Sequence, residues 1–300
     1  MSHNHHHHHH HSSGSNALTF AFFLNLGFSV IELIGGILTN STAIVADAFH
    51  DFMDAMAIGV AVYFEKISKK KRTDQFLYGY RRFNLVSALG LSVVLLVGAA
   101  VMVYSAVLSF QSQKEVHSLG MLGLAILGVL VNGAAFLRLK NDDETNNNRK
   151  AVMLHILEDV LGWIAVLIGS IVIYFTNWNW IDGLLAIGIA GFISINAVKN
   201  IIDTMKIMLQ SVPENIDMQQ LSIDIRNIDE VIDFHDLRIW TMDGNYHVGS
   251  LHVQIPTESK ITYAHLYEKV QAVLSNYHIE HATIQVETLE DNCLHEEEGN

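Results

Sequence analysis

Cysteine is nearly absent from this chain. Cys293 is the only one in 300 residues, so no intrachain disulfide can form and nothing argues for an oxidising compartment. Charge is sparse, at 16% of residues, and basic groups are the minority, with 18 Lys and Arg against 31 Asp and Glu. The net charge of −13 argues against a nucleic-acid partner. No Walker A motif, no HExxH and no GxGxxG after a strand is present. ATP is therefore not expected as a driving force, nor zinc-protease chemistry, and an ion gradient is left as the energy source. The N-terminus is polar and His-rich rather than basic then apolar, so no signal peptide is expected.

What is abundant is apolar sequence, half of all residues. It is unevenly placed. Six segments, roughly 17–38, 42–65, 83–110, 117–138, 150–176 and 179–208, are long enough to cross a bilayer, which takes about 20 residues. Composition shifts to that of a soluble domain near Ser211-Val212-Pro213. The expected divisions are 1–16, a His-rich tail or tag; 17–210, a transmembrane domain; 211–291, a cytoplasmic domain; and 292–300, an acidic tail. Lys69-Lys70-Lys71-Arg72 follows the second segment, and Arg138 and Lys140 with Arg149-Lys150 flank the fourth connector. The positive-inside rule places both loops, and both termini, in the cytoplasm.

Beyond Pro213 the pattern predicts a helix over 214–227 and a strand over 231–240. A hairpin turn at Met242-Asp243-Gly244-Asn245 leads to a second strand over 246–255. A helix over 262–277 and a strand over 281–289 follow. The expected fold is an all-α six-helix membrane bundle followed by an α+β, ferredoxin-like αββαβ domain. Its three-stranded sheet is covered on one face, which leaves the other for a second copy.

Two spacings carry chemistry. His50 and Asp54 stand four apart in the second apolar segment, as do His155 and Asp159 in the fifth. Four residues on an α-helix turn a side chain by about 40° and raise it by about 6 Å, so each pair points one way. Two such helices face to face offer two imidazoles and two carboxylates, a set that suits tetrahedral zinc better than magnesium or calcium. Ionisable groups at membrane depth cost a few kcal/mol each and mark ion pathways. Asp47 shares the stripe of His50 and Asp54 and is a candidate to orient the ligands. Asp51 and Glu158 lie about 100° off their respective stripes. Asn25, Glu32 and Asn132 read as interhelical hydrogen-bonding groups, with orientation of the ligands as the alternative for each. In the soluble part, His252 with His235 on the neighbouring strand is the more plausible metal pair.

With those residues in place the chain resembles the cation diffusion facilitator family, in its bacterial zinc-transporting branch. AFFLNLGFSVIELIGG followed by NSTAIVADAFHDFMD, then YGYRR at 78–82, LHILEDVLG, FHDLRIW, GNYHVGSLHV and TIQVE carry the resemblance in order, from about Leu18 to Glu287. It implies a homodimer that exchanges cytoplasmic divalent metal for protons across the inner membrane. Zn2+ is implied first, with Cd2+ and Co2+ as alternatives. It maps the transport site onto His50, Asp54, His155 and Asp159. A cytoplasmic interface site maps onto His235, His252 and Glu287, with Cys293 as a further candidate. A peripheral site after the second helix is not expected, because Phe76 and Tyr80 stand where histidines would fall. Gln285 occupies one cytoplasmic ligand position, which speaks against a two-metal cluster there. A metal sensor that does not transport, and a passive metal channel, are the alternatives.

Overall fold

The computed structural model describes the backbone of residues 13–68, 70, 72–112, 115–140, 147–257 and 261–291. Within it the side chains of 13–21, 24, 61, 62, 65, 66, 68, 111, 112, 138–140 and 147–155 are not described. The chain divides into two compact units. One is formed by residues up to Tyr63 together with Ala88–Asn200, and the other by Phe64–Ser87 together with the chain from Ile201.

Six long helices come first: α1 (Ser13–Leu38), α2 (Thr42–Ser68), α3 (Phe83–Ser112), α4 (Ser118–Lys140), α5 (Asn147–Thr176) and α6 (Trp180–Met208). Among the described residues, four stretches are long and apolar enough to cross a membrane: Phe83–Phe110, Ser118–Leu137, Ile156–Thr176 and Trp180–Met208. In α1 the apolar stretch found among the described residues is the shorter Asn25–Leu38. α2 is diluted by Asp47, Asp51 and Asp54, the groups that make it interesting.

The α1–α2 corner is tight. The Thr39 hydroxyl donates to the Gly35 carbonyl at 2.7 Å, and Asn40 takes φ 54°. A Cβ on Gly36 would lie 2.8 Å from Val45 Cγ2, so only glycine lets the two helices meet there. The start of α2 is held from α6. Asp182 Oδ1 accepts from the Ser41 hydroxyl at 2.6 Å, and Oδ2 accepts from the Thr42 N–H at 2.6 Å. A carboxylate there satisfies orphan N–H groups and complements the positive end of the helix dipole. The core of this unit is built from Phe28, Ile44, Met121, Ala125, Trp163, Val166 and Ile173, which joins α1, α2, α4 and α5. Trp163, 1% exposed, fills the space a side chain on Gly128 would take; a Cβ there would sit 2.1 Å from its ring.

In the second unit α7 (Met218–Arg226), β1 (Asp233–Thr241), β2 (His247–Ile255), α8 (Tyr263–Asn276) and β3 (Ile279–Thr288) follow in the expected αββαβ order. α7 starts at Met218 rather than at 214, because Asp217 caps it, accepting from Gln219 and Gln220 N–H at 2.9 and 3.1 Å. The sheet is mixed: β1 and β2 run antiparallel, β2 and β3 parallel, in the order β1-β2-β3. Leu221, Ile225, Leu251, Val253, Leu266, Val270 and Leu274 bury its helix-covered side. The hairpin turn forms where expected. Gly244 takes φ 92°, and Asp243 Oδ1 accepts from the N–H groups of Asn245 and Tyr246.

The α2–α3 connector belongs to this unit. Arg81 donates to Asp243 at 3.4 Å and lies 4.0 Å over the Tyr246 ring. Tyr78 meets His281 edge-on at 6.3 Å. Phe76 and Tyr80 pack on each other at 4.8 Å between ring centroids.

Candidate metal centre

α2 aligns Asp47, His50 and Asp54 on one stripe, and the side chains are partly buried. His50 Nε2 and Asp54 Oδ2 lie 3.6 Å apart. Two ligands of a tetrahedral zinc, each bonded at about 2.0–2.1 Å, stand roughly 3.3–3.4 Å from one another, so a small movement would let one ion bridge this pair. On α5, Asp159 is half-buried and stands one turn beyond His155. His155 is placed on the backbone of α5, and its side chain lies outside the described set. α2 and α5 meet at this depth: Asp47 Oδ1 lies 4.0 Å from where a Cβ on Gly162 would be. Asp159 and Asp54 both act electrostatically on Asp47. Asp47 is 8% exposed. Glu158 is exposed.

Helix α1 adds a group that periodicity undervalued. Glu32 is 1% exposed. Asp51, set aside as off the stripe, is itself buried and its carboxyl approaches that of Glu32. A helical wheel of α2 shows that Asp51 faces elsewhere; it does not show that α1 waits there. Asn25 is half-buried on α1, two turns before Glu32. On α4 the Asn132 Nδ2 is buried without a hydrogen-bond partner.

In the C-terminal unit three strands bring His235, His252 and Glu287 together, with ligand atoms all within 4.8 Å of one another. Register places His235 directly opposite His252 on β1 and β2, and their rings meet at 5.0 Å. Glu287 Oε1 lies 2.8 Å from His252 Nδ1, and its Oε2 lies 3.3 Å from His235 Nε2. Those last two atoms are buried without completing a hydrogen bond, and their separation is that of two zinc ligands. A bulge between His235 and Arg238 sets Asp236 at φ 50°. Asp236 Oδ2 then stands 4.0 Å from His252 Nε2 while Arg238 holds Oδ1 at 2.7 Å. Sequence reasoning missed Asp236, because a bulge leaves no mark in a hydrophobic alternation. Gln285 donates to Glu287 Oε1 at 2.8 Å, which gives that position an orienting contact. Cys293 lies outside the described residues. His247 is away from this cluster and buried; burial, then the nearby His278, lower its proton affinity.

A helical membrane domain carrying buried acids, joined to a small mixed α/β domain with a His-His-Glu cluster, defines a membrane protein that handles cations. The model of the cation efflux transmembrane domain matches residues 18–209, and that of the cation efflux protein cytoplasmic domain matches 213–289. The chain therefore belongs to the cation efflux family, which consists of transporters and not of enzymes. Its relatives cover nearly the whole chain. A cadmium, cobalt and zinc/H(+)-K(+) antiporter of Bacillus velezensis is 31% identical over 97% of this chain and 94% of its own. The zinc transporter ZitB of Pectobacterium atrosepticum is 32% identical over 100% and 94%. ZitB of Escherichia coli is 31% identical over 96% and 93%.

Proposed function

We propose that this protein is a homodimeric antiporter that exports Zn2+ from the bacterial cytoplasm in exchange for protons. The transport site is His50 and Asp54 of α2 with His155 and Asp159 of α5, supported by Asp47 and Asn25. The observation that carries it is the meeting of α2 and α5 at Asp47 and Gly162, with Asp54 and Asp159 both acting on Asp47. The relatives' names, which include zinc, cadmium, cobalt, H(+) and K(+), agree with this class of exchange.

Metal needs neutral imidazole and ionised carboxylate, so metal and proton compete for the same groups. Facing the cytoplasm, the four ligands take the ion out of water. Facing outward, where protons are more plentiful, an imidazole takes one up as the metal leaves. Access alternates around this one site. All six helices α1–α6 cross the membrane, and both termini are cytoplasmic. The transmembrane domain spans 17–210. The domain over 211–291 is ferredoxin-like and pairs with its copy. Zinc at His235, His252 and Glu287, with Cys293 as an added ligand, reports cytoplasmic metal to the dimer.

The test is reconstitution in liposomes with a pH gradient and a trapped zinc dye, beside Asp159→Ala. Gradient-dependent flux that vanishes in the variant is the expected result. Flux indifferent to the gradient would make the protein a channel, and zinc binding without flux a sensor.

A further inference from the structure

The α2–α3 connector carries charge and apolar surface that the transport site does not use. Seven of the chain's 18 Lys and Arg fall within residues 66–82, and Asp74 is the only acid among them, in a chain of net charge −13. The stretch ends where a membrane-length apolar helix begins, since Arg82 directly precedes Phe83–Phe110. Chain continuity therefore puts the connector at the bilayer surface.

Its two ends are used differently. Arg81 Nη1 donates to Asp243 Oδ2 at 3.4 Å, and Arg82 Nη2 lies 3.9 Å from Met242 Sδ, so both guanidinium groups are engaged by the β1–β2 turn. Lys70 and Arg72 are exposed. Between them and Arg81 the chain forms an ordered turn. Thr73 and Phe76 exchange backbone hydrogen bonds at 3.1 and 3.2 Å, and the Gly79 N–H donates to the Phe76 carbonyl at 2.9 Å. This turn presents Phe76, Leu77 and Tyr78 at 41%, 72% and 45% exposure. Phe76 and Tyr78 have ring contacts, with Tyr80 and His281 respectively; Leu77 is the most exposed of the three.

Consecutive apolar side chains held out on an ordered turn mark a contact surface. Lysine and arginine beside an apolar wedge suit a lipid surface: the cations meet phosphate, and the wedge enters the boundary between headgroups and acyl chains. A second copy seated on the same patch by two-fold symmetry would bring like charges together, which disfavours that occupant.

We propose that Lys70 and Arg72 bind anionic phospholipid headgroups of the membrane the chain spans, while Leu77 of the same connector enters the bilayer boundary. The two signals act together, since a single weak anchor gives only marginal, reversible membrane binding. The proposal requires that α3 cross the membrane, and it holds whichever ions the protein exchanges.

The experiment uses the full chain with Cys293→Ser and Leu77→Cys, labelled at position 77 with bimane. The labelled protein is placed in vesicles of phosphatidylcholine alone or mixed with phosphatidylglycerol. Brominated acyl chains in the vesicles quench a label that enters the boundary. At low salt, quenching is expected to be at least about threefold greater in the mixed vesicles. At about 1 M salt, where screening acts within about 3 Å, it should fall to the level seen in phosphatidylcholine. Lys70→Gln with Arg72→Gln should abolish most of the difference between the two vesicles. Equal quenching in both vesicles overturns the proposal: strong in both, Leu77 enters lipid without reading charge; weak in both, water or another protein surface covers it. Quenching in the mixed vesicles that salt or the double substitution leaves unchanged overturns it as well. The salt comparison leaves the basic residues intact, so it decides the matter should the double variant not fold.

Discussion

The two candidate metal centres differ in how their ligands are assembled. On α2 and α5 the partners stand four residues apart on one helix, so each half of that centre is fixed by local geometry before any tertiary contact forms. The C-terminal cluster draws one residue from each of three strands, at positions 235, 252 and 287. Nothing local holds these together; strand register alone does. A helical pair therefore survives changes in packing, whereas a sheet cluster fails when register slips by one residue, because every side chain then changes face.

That contrast gives graded predictions. The largest effect belongs to Asp54→Ala, which removes one of four proposed transport ligands: gradient-driven zinc flux falls at least about tenfold, the equivalent of roughly 1.4 kcal/mol. An unaltered flux would remove α2 from the transport site.

Glu287→Gln should act on the other centre alone. In an Asp54→Ala background, zinc titration is expected to lose its remaining tight component, with an affinity drop of about 10- to 100-fold. If that component persists, the three-strand cluster does not bind metal.

Packing sharpens the comparison next. Gly128→Leu forces a side chain into the Trp163 ring, and overpacking of this kind costs about 1–3 kcal/mol. Gly123→Leu, on the same helix with nothing within 4 Å of its Cβ position, should leave the melting temperature unchanged. Equal melting temperatures for the two would contradict the α4–α5 contact. Asp182→Asn weakens the cap of α2 from another helix and should cost about 1 kcal/mol, read as a lower melting temperature with zinc affinity retained.

The smallest effect is one of pH. His247 has its proton affinity lowered in the folded state by burial and by His278. The unfolded chain then binds more protons between that lowered value and about 6.5, so folded stability declines as pH falls from about 6.5 towards it. His247→Gln should flatten the dependence of the denaturation midpoint over that window. An unchanged slope would show that His247 does not titrate differently on folding.

Much of this could be read without a structure where the code is local. The αββαβ order, the Met242–Asn245 turn and the His50/Asp54 stripe follow from periods of 2 and 3.6 residues and from glycine at a turn. Helix α7 began four residues later than its apolar pattern suggested, because Asp217 capped it. Asp236 escaped notice because a bulge is set by pairing with the next strand. Asp51 was set aside because one helix viewed alone cannot show what a second helix places against it. Arg81 was legible only as part of the YGYRR motif, and its partners Asp243 and Tyr246 lie more than 160 residues away along the chain.

By itself the sequence determined which residues share a helix face, where membrane-length apolar segments give way to a soluble domain, and which residue types are available to bind metal. Those properties depend on neighbours within a turn or two. Only the tertiary structure decided that Glu32 meets Asp51, that Asp182 caps α2 from the start of α6, and that His235, His252 and Glu287 converge. Each of these joins residues on separate elements, and their meeting is set by helix packing and strand register rather than by any spacing along the chain.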